Sequence, residues 1–187
     1  PPAKRKPEDR WFGDPITERI TQAAQKRQSI LSSREDIPYE QLQQELRRAD
    51  NYLDIVRLTG NLVIAAFFSA SKDRERLQRL DEWGKNLTLY LGPEARIEEG
   101  PALKTIAATL QEGELPLQPF HWEIEFPEVF ARENGGFDAM VGNPPFAGKN
   151  TLINGNRPGY LDWLKTIHEE SHGNADLVAH FFRRAFT

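Results

Sequence analysis

The 187-residue sequence contains no cysteine. That excludes disulfides and thiolate metal sites within it, and any mechanism in which a cysteine here attacks a substrate carbon. The same absence fits a reducing, cytoplasmic compartment. Long apolar runs are also missing. The longest, Leu62 to Phe68, falls far short of the roughly 20 residues that a bilayer-spanning helix needs. The opening "PPAKRKPEDR" has no apolar segment behind it, so it does not read as a secretory signal, and its Lys-Arg-Lys reads as a solvated end. There is no internal repeat and no low-complexity tract. Surplus positive charge is lacking too: the net charge of −4 argues against a general polyanion binder. From Asn143 onward, however, five Lys/Arg face four Asp/Glu, which leaves −5 on the residues before it. For a nucleic-acid partner, the phosphate contacts that supply affinity are then expected to lie mainly outside these residues. No Ser, His and Asp spacing marks a nucleophilic triad.

What is present suits a soluble chain with a core: 39% hydrophobic and 28% charged residues. Asp14-Pro15 predicts a helix start, with Asp at the cap and Pro in the first position, running to about Ser32. A second helix is expected from Pro38. Its apolar positions Tyr39, Leu42, Leu46, Ala49, Leu53 and Val56 recur at three and four, with an interruption at Gly60. "LVIAAFFSA" then reads as a helix apolar nearly all round and therefore buried. Shorter helices are expected over about Asp73 to Trp83 and Pro101 to Gln111, with turns at Gly92-Pro93, Gly100-Pro101 and Gly113. In "FHWEIEF", Phe120, Trp122, Ile124 and Phe126 alternate with polar residues, the period of a half-buried strand ended by Pro127. Trp122, Phe126 and Trp163 read as core. "FDAMVGN" reads as a short covered parallel strand, and "GYLDWLKTIHEES" and "NADLVAHFFRRAF" as two helices. Gly173 would end the first of these, and Asn174 or Asp176 would begin the second. The last helix has no stop signal, as if the natural chain continued.

The segment "VGNPPFAGKN" carries the chemistry. In open α/β sheets, ligands sit beyond the carboxyl ends of strands, which is where a strand over 137–142 would deliver Asn143 to Phe146. Each proline fixes φ near −65° and lacks an N–H, so the segment offers carbonyl oxygens in a rigid array beside the Asn143 side-chain oxygen. Two acceptors held together suit a substrate NH₂ group, and Phe146 adds a flat apolar face for an aromatic ring. An exocyclic amine on a flat heterocycle fits both features.

"FDAMVGNPPF" resembles the catalytic motif of S-adenosylmethionine-dependent amino-methyltransferases, whose pattern is Asn/Asp/Ser-Pro-Pro-Tyr/Phe after a strand. Asn in first place is typical of those acting on adenine N6 in DNA. The longer "FHWEIEFPEVFARENGGFDAMVGNPPF" and the later "NADLVAHFFRRAF" are similar to large bacterial restriction-modification enzymes. The resemblance is strong from about Phe120 to Phe186 and diffuse before. It implies an α/β fold, part of a Rossmann-like class I methyltransferase domain, with a largely helical region over 1–117. The catalytic strand, the loop and the following helices would occupy 118–187. It further implies S-adenosylmethionine as cofactor and double-stranded DNA with a flipped adenine as partner. Asn143 and the Pro144 carbonyl would bind the amine, Pro145 would hold the turn, and Phe146 would stack on the base. Lys149 and Asn150 would lie near the DNA backbone. The family's glycine-rich donor turn, of the Phe-x-Gly-x-Gly kind, has no counterpart here. That departure leads to the expectation of a piece of a longer enzyme, inactive alone.

A competing pattern, "HEESH", would place His168 and His172 on one helical face for zinc, with Glu169 as base. A third ligand would have to come from His180, Asp176 or His121. Glu170 and Ser171 stand where apolar residues are usual and Gly173 follows at once, so a solvated helix end is the better reading. His121 reads as a surface or packing residue. Related motifs serve cytosine N4 and protein glutamine, so those substrates stay open at this point. A non-catalytic helical interaction module also stays open.

Overall fold

A computed structural model describes residues 13–92, 96–168, 171 and 173–186. The Lys4 to Lys6 cluster, Pro93, Glu169, Glu170 and His172 therefore lie outside the described residues. Helix α1 spans Gly13–Leu31 and α2 spans Tyr39–Phe68. The connection between them is short, which makes them packed neighbours, and Ala23 meets Ala49 and Leu53 along the seam. Of the stripe predicted for α2, Ala49, Leu53 and Val56 are buried, whereas Tyr39 and Leu46 remain exposed. Helix α3, Asp73–Leu91, continues about two turns beyond the predicted end at Trp83, because Leu87 and Tyr90 extend its apolar face. Helix α4, Glu99–Ala108, tightens into a 3₁₀ turn over Thr109–Gln111. Leu58 and Leu62 of α2, Leu87 of α3, and Leu103 and Ala107 of α4 form the main core. Each fully buried Leu contributes about 1.5–3 kcal/mol.

Gly60 does not interrupt α2. A Cβ there would stand 2.6 Å from the His121 ring, so the glycine makes room for a side chain arriving from another segment. His121 is accordingly half-buried, with its Nε2 at 2.9 Å from Asn61 Oδ1, and burial holds its pKa below the ordinary value.

The expected Rossmann-like α/β architecture is not observed: no strand or sheet occurs among the described residues. "FHWEIEF" forms one helical turn, α5, Trp122–Glu125, followed by α6, Pro127–Phe130. The alternation had a different cause. Two of its three polar positions meet a cation, Glu123 accepting from Arg184 at 2.6 Å and Glu125 from Arg57, while His121 pairs with Asn61. Its aromatic positions fold onto one another, with Trp122 and Phe126 stacked one turn apart. "FDAMVGN" is an irregular stretch with no strand beside it among the described residues, and Val141 is fully exposed. A strand is defined by ladder partners, and no neighbouring segment supplies them here.

Three further helices follow among the described residues: α7 (Lys149–Gly155), α8 (Tyr160–Ile167) and α9 (Leu177–Ala185). Helix α7 was not legible, since "KNTLING" is rich in weak helix formers. Trp163 of α8 docks edge-on against Phe67 of α2 at 5.0 Å. Arg157, between α7 and α8, donates to the Thr109 carbonyl at 3.2 Å and to the Glu112 carbonyl. Among the described residues, no helix is long and apolar enough to cross a membrane.

Candidate functional site

The Asn143 loop is a bridge with two abutments. At its start, the Phe137 ring meets Trp122, Phe126 and Phe130 edge-on at 5.2–5.6 Å. Gly136 delivers the chain there with φ +130°, a conformation that only glycine adopts without strain. Arg132 closes the turn by pairing with Asp138 at 3.1 Å. At the far end, Ala147 is held by the start of α9. Its N–H donates to Asp176 Oδ1 at 3.0 Å, and its carbonyl accepts from Leu177 N–H at 2.9 Å.

Between these points the chain has no regular secondary structure and is largely open to solvent. Asn143 and Pro145 are exposed, Pro144 is half-buried, and Phe146 is 79% exposed. Asn143 and Phe146 therefore neither line a cleft at the end of a strand nor pack in a core. Two consecutive prolines fix two φ angles of this exposed segment and so stiffen its backbone without packing to hold it. Lys149 and Asn150 follow in the first turn of α7, both exposed. The structure thus keeps the six candidate residues on one continuous exposed segment.

The described histidines are arranged differently from the zinc pattern. His168 lies against His180, with ring centroids 5.1 Å apart, and both are nearly closed to water. Neither ring nitrogen of His180 has a hydrogen-bond partner. Burial, reinforced by Arg183 nearby, lowers both imidazole pKa values. His121 is committed to Asn61, and Asp176 to Ala147 and Val178. Among the described residues no group of three His, Cys, Asp or Glu converges on a possible metal position.

Of the adjacent glycines, Gly135 is closed against α6, where a Cβ would stand 2.5 Å from the Phe130 carbonyl, whereas a Cβ on Gly136 would meet open space. Among the described residues, this turn does not form a cradle for S-adenosylmethionine.

Asp176 was legible as a helix cap and as a possible third zinc ligand; it fills the first role by accepting from Val178 N–H at 3.1 Å. Its contact with Ala147, 29 positions away, leaves no local sequence signal.

No curated protein matches the chain, and no solved structure does. A family model described as the Eco57I restriction-modification methylase matches residues 15–187, which is nearly the whole sequence. With an exposed Asn-Pro-Pro-Phe bridge inside that span, the chain belongs to the Eco57I restriction-modification methylase family.

Proposed function

We propose that these residues supply the acceptor side of methyl transfer from S-adenosylmethionine to adenine N6 in double-stranded DNA. The donor's seat would lie outside the described residues, in a longer enzyme. The observation that carries this reading is the exposed, proline-stiffened segment Asn143 to Phe146 in a member of a methylase family. The adenine amine is a poor nucleophile because its lone pair is delocalised into the ring. Asn143 Oδ1 and the Pro144 carbonyl would accept its two hydrogens, favour a pyramidal nitrogen and localise the lone pair. This is positioning and electrostatic catalysis, with no covalent enzyme intermediate. Pro145 would stiffen the segment through its fixed φ. The exposed face of Phe146 would stack on a base flipped out of the duplex, a contact worth about 1–3 kcal/mol. Lys149 and Asn150, in the next turn of chain, would meet the DNA backbone.

The test uses the full-length protein with duplex DNA and labelled S-adenosylmethionine, beside Asn143→Ala, and identifies the modified base. N6-methyladenine from the parent alone is the expected result. Methylated cytosine or protein would move the substrate and keep the amine chemistry. Equal transfer by both proteins would remove Asn143 from the reaction. Absence of transfer with donor bound would favour the interaction module.

A further inference from the structure

We infer that Asp176 is a positioning residue for the Asn143 to Phe146 segment, acting through Ala147; the inference rests on the acceptor reading above. One carboxylate oxygen, Asp176 Oδ1, accepts two N–H groups: Ala147 at 3.0 Å and Val178 at 3.1 Å. The second bond is an ordinary N-terminal cap of α9, whose first turn favours a negative charge. The first has nothing to do with forming that helix. The next residue, Leu177, donates its own N–H to the Ala147 carbonyl at 2.9 Å. Both polar groups of the Ala147 backbone are therefore fixed by the same short stretch of α9.

Ala147 directly follows Phe146. Pro144 and Pro145 already have their φ angles locked. Fixing the peptide groups on both sides of Ala147 removes most of the remaining freedom at the downstream end. The direction of the Phe146 ring, and of the carbonyls before it, is thus referred to α9. Helix α9 carries the buried His180 and is tied through Arg184 to Glu123 of α5. Phe137, at the upstream end, packs against Trp122 of the same α5. Both abutments of the bridge consequently share one support. An enzyme that must place two acceptors on one amine needs that registration, because a misplacement of about 1 Å can cost on the order of 100-fold in rate.

The carboxylate can be divided by substitution. Asp176→Ser keeps a good cap on Val178, but its shorter side chain does not reach Ala147. Asp176→Asn keeps an acceptor oxygen of the right length for both. In the full-length protein, single-turnover methyl transfer, DNA affinity, thermal unfolding and hydrogen exchange at the Ala147 amide would be compared. Asp176→Ser is expected to leave the unfolding temperature and DNA affinity unchanged. It should speed exchange at Ala147 and lower the transfer rate at least 10-fold. Asp176→Asn is expected to restore the rate to within about threefold.

Full transfer by Asp176→Ser, with Asn143→Ala inactive, would overturn the inference and leave the acceptor reading standing. Unchanged exchange at Ala147 would overturn it without reference to catalysis. If Asn143→Ala is fully active, the acceptor reading itself fails, and the positioning role fails with it. Should Asp176→Ser and Asp176→Asn lower rate and melting temperature equally, the negative charge at the start of α9 matters and the bond to Ala147 does not, which overturns the inference.

Discussion

Arg57 grips both carboxylate oxygens of Glu125, Nε to Oε1 at 2.8 Å and Nη2 to Oε2 at 2.7 Å. The pair fastens the turn α5 to the middle of α2. Arg27 joins it, donating to the Glu125 carbonyl and to Asp50 Oδ1 at 2.9 Å. This bidentate contact holds the Glu125 pKa below the usual carboxylate value and raises that of Arg57.

Replacing Arg57 by Ala should therefore destabilise the protein by about 1–3 kcal/mol, since it strands a partly buried carboxylate. Glu125→Gln should cost less, because its amide still accepts from the guanidinium. Chemical denaturation of the two variants at pH 7 checks the order.

Gly60→Ala tests the seat of His121. On helix propensity alone, alanine should stabilise α2 by about 1 kcal/mol. The ring 2.6 Å from the new Cβ reverses that expectation, because moving it breaks the bond to Asn61. Net destabilisation is expected in the parent. In a His121→Ala background the same substitution should become stabilising, a change of sign that a double-mutant cycle reads directly.

Acid should loosen α9 early. His168 and His180 are held neutral in the folded chain, with pKa values below the ordinary 6.5. The unfolded state binds protons that the folded state refuses, so stability falls as pH drops through 6.5 and levels off once the folded pKa values are passed. His180→Phe should flatten this limb, raising the melting temperature more at pH 6 than at pH 8. It also removes two buried nitrogens that lack partners.

Phe146→Ala should separate function from folding. With 79% of its surface in solvent, the side chain contributes little to stability, and a change within about 0.5 kcal/mol is expected. Loss of base stacking, at about 1–3 kcal/mol, should weaken transfer about 5- to 150-fold. Phe137→Ala should instead damage both, because its ring anchors the upstream end among three aromatics.

The first helix was legible from its Asp14-Pro15 start and the second from the spacing of Ala49, Leu53 and Val56, which repeats what the core requires, although the expected interruption at Gly60 is absent. The Asn-Pro-Pro-Phe segment stands out in the sequence because it is a local pattern. The strand expected over "FHWEIEF" was misread for one reason. Seven residues of alternation report that positions differ, not what they face. Glu123 and Glu125 are polar because arginines from distant elements meet them, and distance in sequence hides such partners. The Ala147 contact of Asp176 was invisible for the same cause, whereas its cap was visible because Val178 is two residues away.

Because Phe137 and Ala147 are both pinned, the number of residues between them acts as a ruler. Adding one residue to such a bridge changes its closure entropy by only a small fraction of 1 kcal/mol. The same residue displaces everything beyond it by up to about 3.5 Å along the path. Length variants of this bridge should melt like the parent and yet lose registry at Asn143. Selection on the spacing would then act through chemistry alone, leaving no trace in folding.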